Sequence, residues 1–372
     1  MSKENLNIIN QMLKVGKHSL KAEKMRDITV EYHRKEVLDE GANILEKNPN
    51  ANLITFGVKN TNQIGKDLIQ KLKEEKFIFH TIDKMSEGGR AIDVDIKNPL
   101  TGRLMTGSSS GGCANILLGI NDFSIGTDGG GSVLGPAMST NLYGIMAKGL
   151  GLRGNESRSS TDNIDFVPGI GVISYDYQIC LNVVKVLTLA DILSKEEISK
   201  KRIKVAIPKD RSIILPTGSD MRKMLNIVMK EIGDIVEFVE VDLSQISSRR
   251  DAIKLLDMIF DSDVHIVMTL EGPVDLIGMG DSVLGMCGEI GKNIQKRSGK
   301  YLLKVANMIN GTAVSIPTNE LGMGVLLIGK EGLETGSIVL GLGNMIKDIF
   351  LIPSLYKKYF IQSYLREDKG FI

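Results

Sequence analysis

The chain is short of several things, and each shortage excludes a class of function. Only three cysteines, Cys113, Cys180 and Cys287, stand in 372 residues. They lie far apart, are odd in number and form no CxxC pair, which argues against a disulfide scaffold or a zinc site and suits a reducing compartment. No cluster with metal-ligand spacing occurs, so neither a metal nor an organic cofactor is expected. Net charge is also nearly absent: 46 Lys and Arg face 45 Asp and Glu, leaving +1. Without a basic field, nucleic acid is not an expected partner. Mixed-sign runs such as KLKEEK read as solvated helix faces. No apolar run reaches membrane-spanning length, and the first residues, MSKENLNIINQMLKVGKHSLKAEKM, lack a signal-peptide apolar core. The expectation is a cytoplasmic protein without membrane contact. Histidine is scarce too. His18, His33, His80 and His265 are the only four, and none is near the Gly-rich region described below.

What is present is the composition of an ordinary globular protein, 42% hydrophobic and 24% charged. Residues 4–48 carry helical spacing, with Leu6, Ile9, Met12 and Leu13 on one face and EYHRKEVLDEGANILEK as a second helix. ANLITFGVK reads as a buried strand, GKDLIQKLKEEK as a helix and FIFHTI as a strand, which begins an α/β pattern. Further on, ICLNVVKVLTLADIL is a predicted helix. KRIKVAIPKD and VEFVEVDL are predicted strands around the helical SDMRKMLNIVMKEIGD. DVHIVMTL, GTAVSIP and MGVLLIGKEG are predicted buried strands, and ETGSIVLGLGNMIKDIF is partly helical. With no repeat, low-complexity tract or linker, the expected fold is α/β. It is one large domain with a central mixed, twisted β-sheet flanked by helices on both faces. Residues 1–50 would be an N-terminal helical region packed on a 51–372 core.

The most unusual stretch is TGSSSGGCANILLGINDFSIGTDGGGSVLGPA, residues 106–137, with a Ser/Gly cluster at each end of an apolar run. Consecutive glycines cost backbone entropy. They mark either a plain flexible turn or a backbone brought close to an anion or a developing oxyanion. No Lys-Ser/Thr pair follows the glycines as a phosphate loop needs. The surrounding pattern is not a dinucleotide fingerprint, and Ser132 does not sit in a GxSxG elbow because Val133 and Leu134 follow it. With no nearby histidine, a lysine neutralised by burial is the alternative base, and Lys59, at the end of the apolar ITFGVKN, is a candidate.

These residues resemble the amidase signature hydrolases. GSSSGG, the apolar run and GTDGGGSVLGPA are similar to that family's paired Ser/Gly segments. NPLTGRLMTG resembles its lead-in, FGVKNTNQIG its lysine segment and NMINGTAVSIPTNELGMGVLLIG its closing strand pair. The resemblance implies Ser132 as nucleophile, Ser109 as a bridging serine on a cis peptide bond, and Lys59 as the base. It further implies that the backbone N–H groups of Gly129, Gly130, Gly131 and Ser132 form the oxyanion hole, with ANILLGI as a buried helix that sets the spacing between the serines. The implied activity is hydrolysis of a small-molecule or peptide-like amide through an acyl-enzyme. The alternatives are the amidase subunit of a glutamine-dependent amidotransferase and a degenerate binding or scaffold protein. A small-molecule amide and a homo-oligomeric partner copy are the partners considered. The sequence departs from the family at several places. The Ser109–Ser132 interval is one residue short, Leu134 replaces a usual arginine, AKGLG lacks a Pro-Thr pair, and the interval after Lys59 is shortened. No particular substrate is therefore implied.

Overall fold

The structure is a computed structural model that describes residues 2–361. Residues 362–372, at the end of the expected 51–372 core, lie outside the described residues. In chain order the strands are β1 (Val30–His33), β2 (Thr55–Lys59), β3 (Ile78–Asp83), β4 (Ile92–Lys97), β5 (Leu104–Thr106), β6 (Phe123–Asp128), β7 (Tyr143–Met146) and β8 (Arg158–Ser159). They continue as β9 (Asp165–Phe166), β10 (Gly169–Ser174), β11 (Ile203–Pro208), β12 (Val236–Val241), β13 (Ile266–Glu271), β14 (Thr312–Pro317) and β15 (Gly324–Gly329). Eleven of them form one sheet in the order β1-β3-β2-β6-β10-β7-β14-β15-β13-β11-β12, while β4–β5 and β8–β9 are small separate ladders.

The sheet is mixed, as expected. Parallel pairs β3–β2–β6 lie on one wing and β13–β11–β12 on the other. Antiparallel pairs join them through β10, β7, β14 and β15. Every residue of β14 and β15 is buried, which requires cover on both faces. The helix at Leu333–Ile346 packs on β14 and β15, and the short helix Leu134–Ser139 packs on β7 and β14.

Two expectations for the first fifty residues need correction. Residues 31–33 begin the stretch read as a second helix, but with Val30 they form β1, which pairs antiparallel with β3 at the sheet edge. The helices there are α1 (Lys3–Lys24) and α2 (Val37–Lys47). The buried face of α1 is not the expected one either. Leu6, Ile9 and Leu13 are exposed, whereas Lys14, Val15, His18 and Ala22 are buried. The reason is polar. Lys14 Nζ pairs with Asp122 Oδ1 at 2.8 Å and donates to the Leu53 carbonyl at 2.8 Å, and His18 Nδ1 lies 2.9 Å from Thr55 Oγ1. Ile8, Met12, Val15 and Ala22 line this face at helical spacing, but the buried Lys14 and His18 among them mask the period.

The Gly-rich stretch supplies the central strand β6, and the residues after it supply β7 and β10, three strands that apolar runs alone did not reveal. Their glycines allow close layers. A Cβ on Gly126 would stand 2.6 Å from Ser109 Oγ, and one on Gly144 would stand 2.9 Å from Ala137 Cβ. The expected helix between the Ser/Gly clusters is present as Ser110–Leu117, buried throughout.

Candidate active site

β2 and β6 are parallel neighbours, so Lys59 and Asp128 stand at the same, C-terminal edge of the sheet. Ligand sites favour that edge in open α/β sheets. The segment after β5 enters the Ser110–Leu117 helix beside it and returns as β6. These elements enclose a cavity of about 190 Å³ lined by Lys59, Ser108, Thr127, Gly129, Gly130 and Ser132, among others.

Lys59 is buried at the end of an apolar strand. Its Nζ donates to Ser108 Oγ at 2.6 Å, to Thr127 Oγ1 at 3.0 Å and to the Thr127 carbonyl at 3.3 Å. Burial lowers its pKa from 10.5 to about 7; Asp128 opposes the shift and Arg158 adds to it.

The expected contact partner, Ser109, is displaced by one position. The cis peptide bond is Gly107–Ser108, and Ser108 is the serine that meets the lysine. Ser109 turns away from Lys59. Its backbone N–H donates to the Ser132 carbonyl at 3.2 Å, and its buried Oγ has no hydrogen-bond partner among the described residues. Counting from Ser108 also restores the residue missing from the interval to Ser132. Three consecutive serines left this one-residue choice open, and the short interval was the signal that could have resolved it.

The glycine loop is folded around Asp128. Its carboxylate accepts from the Gly131 N–H at 2.7 Å and from the Val133 N–H at 2.7 Å. Gly131, expected as an oxyanion donor, therefore has its N–H committed to Asp128. Gly129, Gly130 and Ser132 are the expected donors that line the cavity. Gly131 has φ +91°, and a Cβ there would lie 2.5 Å from Leu303 Cδ1, so only glycine fits. Leu303 is held in turn by Glu271, whose buried carboxylate accepts from the N–H groups of Tyr301 (2.7 Å), Leu302 (2.7 Å) and Leu303 (3.2 Å). Thr127, unassigned from the sequence, thus touches Lys59, and Asp128, also unassigned, shapes the loop. Their place in GTDGGGS was the available signal.

Other candidate bases lie elsewhere. Lys148 Nζ donates to the Asn307 carbonyl at 3.0 Å, with its pKa lowered by burial to about 8. Lys84 Nζ is exposed and donates to the Asp27 carbonyl. None of the four histidines lines the cavity. Leu134, where the resemblance led to an expected arginine, is fully buried. Arginines come from other elements. Arg90 pairs with Asp281 at 2.7 Å, Arg249 pairs with Asp162 at 2.6 Å, and Arg158 lines the same cavity. Among the described residues no group of three or more His, Cys, Asp or Glu is placed to hold a metal, and no helix is long and apolar enough to cross a membrane.

Comparison with known proteins bears on the fold and on one segment of the sequence. The family model described as Amidase matches residues 88–152, a segment that holds both Ser/Gly clusters but not Lys59. No curated protein matches the chain in sequence. A crystal structure of an amidase superimposes with a TM-score of 0.63 at 14% identity, covering 94% of this chain and 99% of that one. The allophanate hydrolase of Kluyveromyces lactis gives 0.61 at 14% identity, covering 96% of this chain and 73% of that one. A 6-aminohexanoate cyclic dimer hydrolase gives 0.59 at 10% identity over 93% of this chain and 95% of that one. In sequence over residues 88–152, and in fold over nearly its whole length, the chain resembles the amidase signature enzymes.

Proposed function

We propose that the protein hydrolyses an amide bond through an acyl-enzyme on Ser132, with Lys59 as base and Ser108 as the proton relay. The observation that carries this reading is the 2.6 Å contact between a buried lysine and Ser108 in a cavity also lined by Ser132. A neutral lysine amine has two N–H donors and one lone pair. The two Thr127 oxygens take the donors, and the lone pair is left to accept the Ser108 hydroxyl proton. Ser108 then takes the proton of Ser132, whose oxygen attacks the amide carbonyl. The new oxyanion sits near the N–H groups of Gly129, Gly130 and Ser132, each such donor being worth about 3–4 kcal/mol. The relay returns its proton to the leaving amine, and water, deprotonated by the same route, cleaves the ester.

A small fluorophosphonate tests this directly. It should form a covalent adduct on Ser132, seen by mass spectrometry, and Ser132→Ala should not be labelled. Because neutral Lys59 is the active form, the labelling rate should rise with pH through a group near 7. Folded wild-type protein that remains unlabelled would favour a binding or scaffold role instead.

A further inference from the structure

Beside the catalytic cavity lies a second, larger groove of about 490 Å³. Its wall is mostly apolar, formed by Ile92, Val94, Leu104, Met279, Val283 and Leu284. Val94 comes from β4 and Leu104 from β5, so this ladder supplies one wall and the 279–284 segment the other. Val94 is 64% exposed and Val283 40%, apolar side chains left in water at the mouth of a site. Apolar surface of this kind beside a polar cleft commonly marks a ligand groove.

The two cavities adjoin. Gly88, Arg90 and Asp281 line both. At the junction Arg90 binds Asp281 in a fork, Nε at 3.2 Å and Nη2 at 2.7 Å, so the charges on the shared wall neutralise each other. The same carboxylate accepts the Val283 N–H at 3.0 Å, which ties the apolar wall to the catalytic rim. Glu87 is the remaining charged side chain of the groove. At about 190 Å³ the catalytic cavity has room for the amide and a few more atoms, below the usual span of a ligand pocket. A longer substrate must extend beyond it, and the surface that adjoins it past Arg90 and Asp281 is mostly apolar.

We infer that the substrate is an amide bearing an extended apolar chain. The chain crosses the Arg90–Asp281 pair and lies in the groove between Val94 and Val283. This rests on the amidase reading above, and it makes Val94 and Val283 specificity residues that touch no reacting atom.

The test compares Ser132 labelling by an ethyl and an octyl fluorophosphonate, with the chain placed either on phosphorus or on its alkoxy oxygen. In one of the two series the octyl reagent should react at least about tenfold faster, since each buried methylene adds to the binding free energy. Val94→Asp and Val283→Asp should bring that ratio close to one while the ethyl rate stays at the wild-type value. Both positions are well exposed, so the fold should tolerate the change. Equal ethyl and octyl rates in wild type, or a ratio that the two variants leave unchanged, would overturn the groove assignment and leave the amidase reading standing. Absence of any labelling of folded protein would overturn both.

Discussion

The Ser108 hydroxyl is engaged by Lys59, and the neighbouring Ser109 hydroxyl by nothing among the described residues, so their alanine variants should part ways. Ser108→Ala removes the proposed relay and should slow Ser132 labelling by about a thousandfold or more. Ser109→Ala removes a buried hydroxyl with no partner and should keep most of the rate, at a stability close to wild type. Fluorophosphonate kinetics on both variants check this, and the reverse order would restore the serine expected from the sequence. Lys59 itself should cost stability. Its folded pKa, about 7, lies below the ordinary 10.5, so folding favours the neutral amine. The lysine's contribution is complete above about 10.5 and is lost as pH falls through about 7. Lys59→Met should therefore unfold at higher denaturant than wild type at pH 6, by on the order of a few kcal/mol, and the gap should close toward pH 10. The same variant should be inactive. A gap that is constant with pH would show that Lys59 stays charged in the fold.

At the scale of elements, the strands flanking the site were unequally legible. β2, β11, β13, β14 and β15 are apolar runs and could be read directly. β6, β7 and β10 were hidden because glycines stand where neighbouring layers come closest, as at Gly126 and Gly144. β1 was hidden by its length, four residues inside a charged stretch. The lysine at the end of β2 was legible because it breaks an apolar run. The glycine loop was legible as a composition, but its geometry was not, because nothing in GTDGGGS says that Asp128 turns back on the loop. That turn predicts an indirect effect on the chemistry. Asp128→Ala leaves the Gly131 and Val133 N–H groups buried without their acceptor, which costs roughly 1–3 kcal/mol each. The loop should relax, and Ser132 labelling should fall by at least about tenfold while far-UV circular dichroism stays native. Asp128→Asn keeps one acceptor oxygen and should fall between. Wild-type labelling in Asp128→Ala would mean that the loop holds its shape without the carboxylate.

For the whole molecule, apolar strand candidates that must bury both faces were enough to expect one mixed sheet with helices on both faces. That requirement was not enough to show how the first fifty residues join it. They contribute an edge strand through β1 and a buried ion pair through α1. Asp122, on the receiving side, also accepts the Thr55 N–H at 2.8 Å and the Tyr175 hydroxyl at 3.0 Å. Thr55 begins β2, the strand that ends in Lys59. We therefore propose that the N-terminal region, expected from the sequence as a helical region packed on the core, unfolds together with that core. Lys14→Ala tests this, because it leaves Asp122 charged and buried without its ion-pair partner, a loss of about 3–5 kcal/mol. If the regions form one cooperative unit, tertiary circular dichroism and Ser132 labelling should both fail at the same, lower denaturant concentration. The double variant Lys14→Met, Asp122→Asn removes both charges and should recover most of the loss. If Lys14→Ala instead gave an early transition that left Ser132 labelling intact, α1 would be an appendage to the fold.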